Sequence, residues 1–188
     1  MTLCTYSEEK LSRAISAASR RQILRLLAEN ELTVNEIAAK NSMSKSLTSK
    51  HLTLLYDLGF LEANLQPPYK YYSLKDNRLK TLLEEYDKTI SSLSSTGLAE
   101  IQEEKLSRAI SAFSRRQILR LLAEKESTVT EVVSYTKMSK SLASRHLKLL
   151  YDLGFLSANV QPPFKRYSLK IPQMKTLLEE YDKIIGAT

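Results

Sequence analysis

Cysteine, histidine and glycine are all scarce in this chain of 188 residues, and each scarcity removes a class of chemistry. The one cysteine, Cys4, permits no intrachain disulfide and no cysteine cage for a metal. The two histidines, His51 and His146, fall one in each half of the chain, with no cysteine beside either, so a histidine-based metal site is not expected. The four glycines, Gly59, Gly97, Gly154 and Gly186, never cluster into a loop that would cradle phosphates. No nucleophile–base constellation stands out, and enzymatic activity has no support. Apolar runs stay well short of the ~18 residues that a membrane span needs. The first ten residues, MTLCTYSEEK, lack the basic region and apolar core of a signal peptide. The expectation is a soluble intracellular protein with no cofactor, no metal and no membrane contact.

What is present is a repeat. Shifted by 95 residues, the chain lies on itself: residues 9–90 against 104–185 give 82 pairs, of which 60 are identical. That period is about twice the 20–50 residues of solenoid repeats, so a whole small domain is duplicated. The expected domains are 1–93 and 94–188, joined by a connector at roughly 91–103 that is rich in serine: Ser91, Ser92, Ser94, Ser95, Thr96 and Gly97. Hydrophobic content of 43% and charged content of 26% are ordinary for a globular protein. The net charge of +7 and pI near 9.4 lean toward an anionic partner.

Within one copy, Leu11, Ala14, Ile15 and Ala18 form an i, i+3, i+4, i+7 stripe and predict a first helix over 7–18. Ser19 can cap a second helix with Ile23, Leu24, Leu26 and Leu27 inward and Arg20, Arg21 and Arg25 outward. Thr33 with Glu36 makes a capping box for a short helix over 34–40, repeated as Thr128 with Glu131. Asn41-Ser42 is a turn. Ser44 then caps a helix that runs to Leu58 and stops at Gly59. Two strands, 60–65 and 69–74, are joined through Gln66-Pro67-Pro68. A helix, a tight turn, a second helix and a hairpin make a helix-turn-helix with a β-wing. Asp76 can cap a last helix over 77–93 with Leu79, Leu82, Leu83, Tyr86 and Ile90 as its apolar stripe. That stripe is long enough to bury against the other copy, together with the first helix. The fold class expected is mainly α with small β-wings (α+β): two winged helix-turn-helix domains forming an intrachain pseudo-dimer.

On a helical wheel Leu47, His51, Leu52, Leu55 and Leu58 share one arc, assigned to the core. The opposite face carries Ser46, Ser49, Lys50 and Thr53 with Lys45 at its edge. In the second copy it carries Ser141, Ser144, Arg145 and Lys148 with Lys140 at its edge. Short hydroxyl side chains let a helix lie close to base edges, and Lys or Arg reaches guanine or phosphate. An ordinary solvated face is the competing interpretation; the turn before it, the wing after it and the duplication weigh against that. The wings add Lys70 and Tyr71, and Lys165 and Arg166, as candidates for phosphate or minor-groove contact, with Tyr72 turned inward. The prolines stiffen the turn but remove two backbone donors. Each histidine either contacts DNA or sits partly buried with local hydrogen bonds; the wheel favours the second. Residues 44–75 carry four cations against two acids, net +2, and residues 139–170 carry six against one, net +5. An imperfect palindrome with unequal half-sites is the expected target.

The matching segments Ile23-Leu24-Arg25-Leu26-Leu27, Leu32 to Ala38, Ser49-Lys50-His51-Leu52, Leu58-Gly59-Phe60-Leu61 and Tyr71-Tyr72-Ser73-Leu74 resemble the arsenic-repressor-type (ArsR-like) winged helix-turn-helix regulators. The resemblance covers nearly all of each copy. It implies sequence-specific binding to double-stranded DNA at promoters by a dimer whose interface is the first and last helices. Here that dimer is fused within one chain, so the expected state is a monomer acting as a pseudo-dimer. A further homodimer stays open through Met174, Leu177, Leu178, Tyr181 and Ile185. The departures are as informative. Metal-sensing members of the family carry Cys-x-Cys where this chain has Thr33-Val34-Asn35 and Thr128-Val129-Thr130. Others carry Asp and His pairs where it has Glu84-Glu85-Tyr86-Asp87. The expectation is therefore a metal-independent transcription regulator, with repression the expected mode and activation left open. The alternative is a winged-helix protein-interaction module that no longer reads DNA.

Overall fold

In the computed structural model the described residues are 5–93 and 99–186; Cys4 and the middle of the expected connector, residues 94–98, lie outside them. The chain forms two compact units. Unit 1 is Met1–Glu84 with Glu180–Thr188, and unit 2 is Glu85–Glu179. The units and the sequence repeat therefore cut the chain at different places.

Unit 1 opens with α1 (Glu8–Ile15) and α2 (Ala18–Glu29). Ser7 caps α1 by accepting a hydrogen bond from Lys10 N, while Glu8 and Glu9 sit favourably in the first turn. The helix stops at Ser16, two residues before its expected end, and Ala18 begins α2 instead. The N-cap of α2 is Ala17, which offers no side-chain cap, and Ser19 is already inside the helix. Arginines secure the join. Arg20 Nε donates to Ala14 O at 3.1 Å and its Nη2 to Arg13 O at 2.7 Å. Arg21 Nη1 donates to Ile15 O at 2.6 Å. These guanidinium groups satisfy the last carbonyls of α1, which no helical N–H can reach. Arg21 is only 1% exposed, which corrects its outward assignment. Among its partners is a backbone carbonyl, which the hydrophobicity pattern does not register.

β1 (Leu32–Thr33), a strand the periodicity does not signal, precedes α3 (Val34–Lys40). The capping box forms as expected: Thr33 Oγ1 accepts from Glu36 N, and Glu36 Oε2 accepts from Thr33 N at 2.7 Å. α4 (Lys45–Asp57) follows, then β2 (Leu61–Gln66), β3 (Tyr69–Leu74) and α5 (Arg78–Ser92). The antiparallel sheet has the order β1-β3-β2, with Leu32 opposite Tyr72 and Leu61 opposite Leu74. Gly59 takes φ +86°, the left-handed turn that ends α4. Asp76 does cap α5, accepting from Arg78 N at 2.9 Å. Near the start of the unit, Tyr6 stacks on Phe60 with centroids 4.3 Å apart and donates to Gly59 O at 3.1 Å. The end of the chain also belongs here. Tyr6 N donates to Ile184 O, Tyr181 Oη to Glu8 O at 3.1 Å, and Arg78 Nη1 to Lys183 O at 2.8 Å.

Unit 2 holds α6 (Ala99–Ile110), α7 (Phe113–Glu124), β4 (Ser127–Thr128), α8 (Val129–Thr136), α9 (Lys140–Asp152), β5 (Leu156–Gln161), β6 (Phe164–Leu169) and the start of α10 (Gln173–Ile185). The α6–α7 join repeats the arginine device, with Arg116 2% exposed and bonded to Ile110 O. The sheet order β4-β6-β5 and the Thr128–Glu131 capping box repeat those of unit 1. Tyr86 Oη donates to Glu103 O, matching the Tyr181–Glu8 bond at the equivalent repeat positions. Ser91 and Ser92 are helical and α6 begins at Ala99, so the connector is shorter than expected. Met174, Leu177, Leu178 and Tyr181 are buried within this chain, and Ile184 rather than Ile185 completes the inward stripe. That stripe is therefore covered already, without a second chain.

Because the buried guanidinium satisfies a carbonyl that water cannot reach, Arg21→Met and Arg116→Met should each lower stability by about 2 kcal/mol. Lys10→Met, at an exposed position, should be neutral. Denaturant titration measures all three, and equal midpoints would refute the role given to the arginines.

Candidate nucleic-acid interface

In unit 1, α3 leads into a turn at Asn41–Ser42, where Ser42 takes φ +52°. Met43 N donates to Ala38 O at 3.0 Å, closing the turn. Ser44 Oγ accepts from Leu47 N at 3.2 Å and starts α4. Along α4, Lys45, Ser46, Ser49, Lys50 and Thr53 are all exposed, on the face opposite the buried Leu52, Leu55 and Leu58. The wheel erred at the start of the helix. Leu47 is 41% exposed, and the fully buried residue there is Thr48. Thr48 hides its hydroxyl by donating to Ser44 O one turn back at 3.0 Å, leaving a methyl group to face the core. Ala143, also fully buried, fills the same place in unit 2. Leu47 thus joins the polar face as an apolar contact that hydrophobicity alone assigned to the interior.

The wing of unit 1 carries Lys70 exposed and Tyr71 and Tyr72 half-buried. Lys70 Nζ lies 5.5 Å from the ring centre of Tyr56, near the end of α4, and 5.3 Å from that of Tyr72. Cation–π attraction thus draws the wing lysine toward the helix and ties the two elements together. Tyr56 is 47% exposed and belongs to the site; no pattern in the sequence marks it beyond its return as Tyr151.

Unit 2 presents the matching set. Ser139 caps α9, and Lys140, Ser141, Ser144, Arg145 and Lys148 are exposed along it. Lys165 Nζ lies 5.6 Å from Tyr151 and 5.0 Å from Tyr167, and Tyr167 is buried while Arg166 points out. Two of the extra cations of this unit have acidic neighbours: Lys148 pairs with Asp152 at 2.8 Å and Arg166 with Glu131 at 3.6 Å. Such exposed pairs hold ~0–1 kcal/mol, so a phosphate can replace the carboxylate. Asp152 is already counted in the net +5 of residues 139–170, and both acids have counterparts in unit 1, Asp57 and Glu36. The expected residues thus gather into two sets, one per unit, each made of a helix face and a wing.

Thr33 and Thr128, compared above with the Cys-x-Cys of metal-sensing proteins that the sequence resembles, serve as helix caps. His51 and His146 are half-buried on the inner edge of α4 and α9. Desolvation, then the nearby Arg20, pulls the His51 pKa below its ordinary value, and desolvation followed by Arg115 and Arg145 does the same at His146. In both the shift favours the neutral imidazole.

Residues 18–63 and 114–158 each match the bacterial regulatory protein, arsR family. The transcriptional activator HlyU of Vibrio cholerae is 31% identical over 74 residues, which is 39% of this chain and 68% of that protein. A solved structure of HlyU from the same organism is 27% identical, covers 44% of this chain and 89% of its own, and has a TM-score of 0.41. A homodimeric winged helix-turn-helix DNA-binding domain from Mycobacterium bovis, described as a possible ArsR-family transcriptional regulator, is 26% identical. It covers 47% of this chain and 83% of its own with a TM-score of 0.42.

A histidine whose folded-state pKa is depressed binds fewer protons than the unfolded chain does below about pH 6.5. Stability should therefore be complete above that pH and decline as the pH falls below it. Denaturant midpoints measured as the pH is lowered should drop for the native protein and stay flatter for His51→Gln with His146→Gln.

Proposed function

The chain belongs to the ArsR family of bacterial regulatory proteins, and from that premise we propose that it reads one imperfect palindrome in double-stranded DNA with both of its helix-turn-helix units. It acts as a monomeric pseudo-dimer whose inherited domains are residues 1–93 and 94–188, in the cytoplasm, as a transcriptional repressor without enzymatic activity. The two half-sites are about one helical turn apart. The observation that carries this is the pair of exposed, hydroxyl-rich, cationic helix faces, each beside its own wing. In each, small side chains give access to base edges and Lys or Arg supplies the reach.

In this role Lys45, Ser46, Ser49, Lys50 and Thr53 read one half-site from α4, with Lys70 and Tyr71 on the flanking backbone. Lys140, Ser141, Ser144, Arg145 and Lys148 read the other from α9, with Lys165 and Arg166 beside them. The half-sites are unequal because Lys50 and Thr53 correspond to Arg145 and Lys148. Arginine grips guanine through two parallel hydrogen bonds where lysine offers a point charge. Lys148 must first leave Asp152, a small cost that is screened further by salt.

Selection of bound duplexes from random DNA should return two different half-sites. On the selected duplex, Arg145→Ala with Lys148→Ala should weaken binding roughly a hundredfold and shallow the salt slope by about two. Lys50→Ala with Thr53→Ala should cost less and shallow it by about one. Equal losses, or two identical half-sites, would contradict the asymmetry; no duplex retained would contradict the function.

A further inference from the structure

The geometry points to the tips of both wings as apolar wedges for the minor groove, an inference that rests on the DNA-binding role proposed above. A wing that held DNA by charge alone would carry Lys or Arg at its tip. Here residues 63–69 (ANLQPPY) and 158–164 (ANVQPPF) contain no charged side chain. The cations begin one position later, and Lys70 and Lys165 lie back over Tyr56 and Tyr151 of the helices. Prolines at 67, 68, 162 and 163 leave no backbone N–H there to donate to a phosphate.

What each tip does present is apolar surface. Leu65 is 69% exposed and Tyr69 53%; Val160 is 64% exposed and Phe164 61%. Leu65, Val160 and Phe164 are the most exposed large apolar side chains among the described residues. The strand register places them on opposite faces. Leu65 shares the face of Leu61 and Ala63, whereas Tyr69, opposite Gln66, shares the face of Tyr71, whose ring is 6.5 Å away. Val160 and Phe164 alternate in the same way. A flat partner would cover one face of such a hairpin; a slot covers both.

The surroundings select the slot. Lys70 flanks one tip and Lys165 with Arg166 the other, while Lys75 and Lys170 lie at the feet of the hairpins beside Phe60 and Phe155; the neighbouring helix faces are themselves cationic. An apolar wedge framed by positive charge fits a groove whose rims are phosphates and whose walls are deoxyribose. Apolar side chains entering the minor groove part the stacked bases and bend the duplex. The repeat preserves this chemistry while changing the residues, Leu to Val and Tyr to Phe.

The test uses the full chain and a duplex selected by the native protein, with anisotropy titrations at several salt concentrations and end-to-end energy transfer to report bending. Leu65→Ala with Tyr69→Ala, and Val160→Ala with Phe164→Ala, should each weaken binding roughly tenfold. The salt slope should stay unchanged, because no charge is lost, and the bend should shrink. Lys70→Ala should instead lower the slope by about one. If the native protein binds and bends the duplex and the tip variants match it, the wedge is wrong and the DNA-binding role stands. If the native protein binds no duplex, both fall. A tip variant that loses self-association in light scattering while keeping its DNA affinity would assign the tips to a second copy of the chain and overturn the wedge.

Discussion

A guanidinium group with almost no access to solvent holds the first two helices of each repeat together. Arg21 and Arg116 reach back six residues to the carbonyls of Ile15 and Ile110, where the preceding helix has run out of donors. A buried charge is costly unless its hydrogen bonds are made. The sharp break at Ser16–Ala17 supplies the acceptor, so the break and the arginine require each other. The neighbouring Arg20 extends the arrangement. Its head bonds to Ala14 and Arg13, and its charge is felt by His51 on α4. The angle between α1 and α2 is thereby linked to the inner edge of the helix that carries the reading face.

Much of the local structure could be read from residues whose effect is confined to one turn. The Thr33–Glu36 and Thr128–Glu131 boxes, the Ser44 cap, the Gly59 stop and the wing strands lie within a residue or so of where the sequence puts them. The exposed positions of α4 were legible for the same reason, since a wheel needs only one helix. The failures share a different cause, namely partners distant in sequence or unexpected in type. β1 is two residues long and exists only because β3 pairs with it. Arg21 is inward because a carbonyl awaits it, which no hydrophobicity pattern can register. Thr48 takes a core position from Leu47 by bonding its own hydroxyl to the preceding turn. Tyr56 enters the site only through a lysine fourteen positions away on the wing.

The two units differ in the core as well as at the surface: buried Ile37, Thr48 and Leu79 of one correspond to buried Val132, Ala143 and Met174 of the other. Between the repeats, α1 and most of α2 are unchanged, while the stretch from Ile37 to Ser42 differs at every position from Val132 to Lys137. On the reading face the change is toward cations, while the acids paired with them, Asp152 and Glu131, recur in unit 1 as Asp57 and Glu36. The contrast between the units is therefore one of added cations. It lies as much in the shape and donor geometry of arginine against lysine as in net charge.

The assignment of residues 180–188 to unit 1 has a consequence for biosynthesis. A ribosome moving from the amino end delivers the first eighty-four residues early, yet Tyr181 and Ile184, which bond to Glu8 and Tyr6, emerge only after residues 85–179. Residues 85–179 are all available before that point. The part of the polypeptide that is translated first is therefore the part that is completed second, and a nascent chain holds an unfinished N-terminal body while a finished one forms behind it.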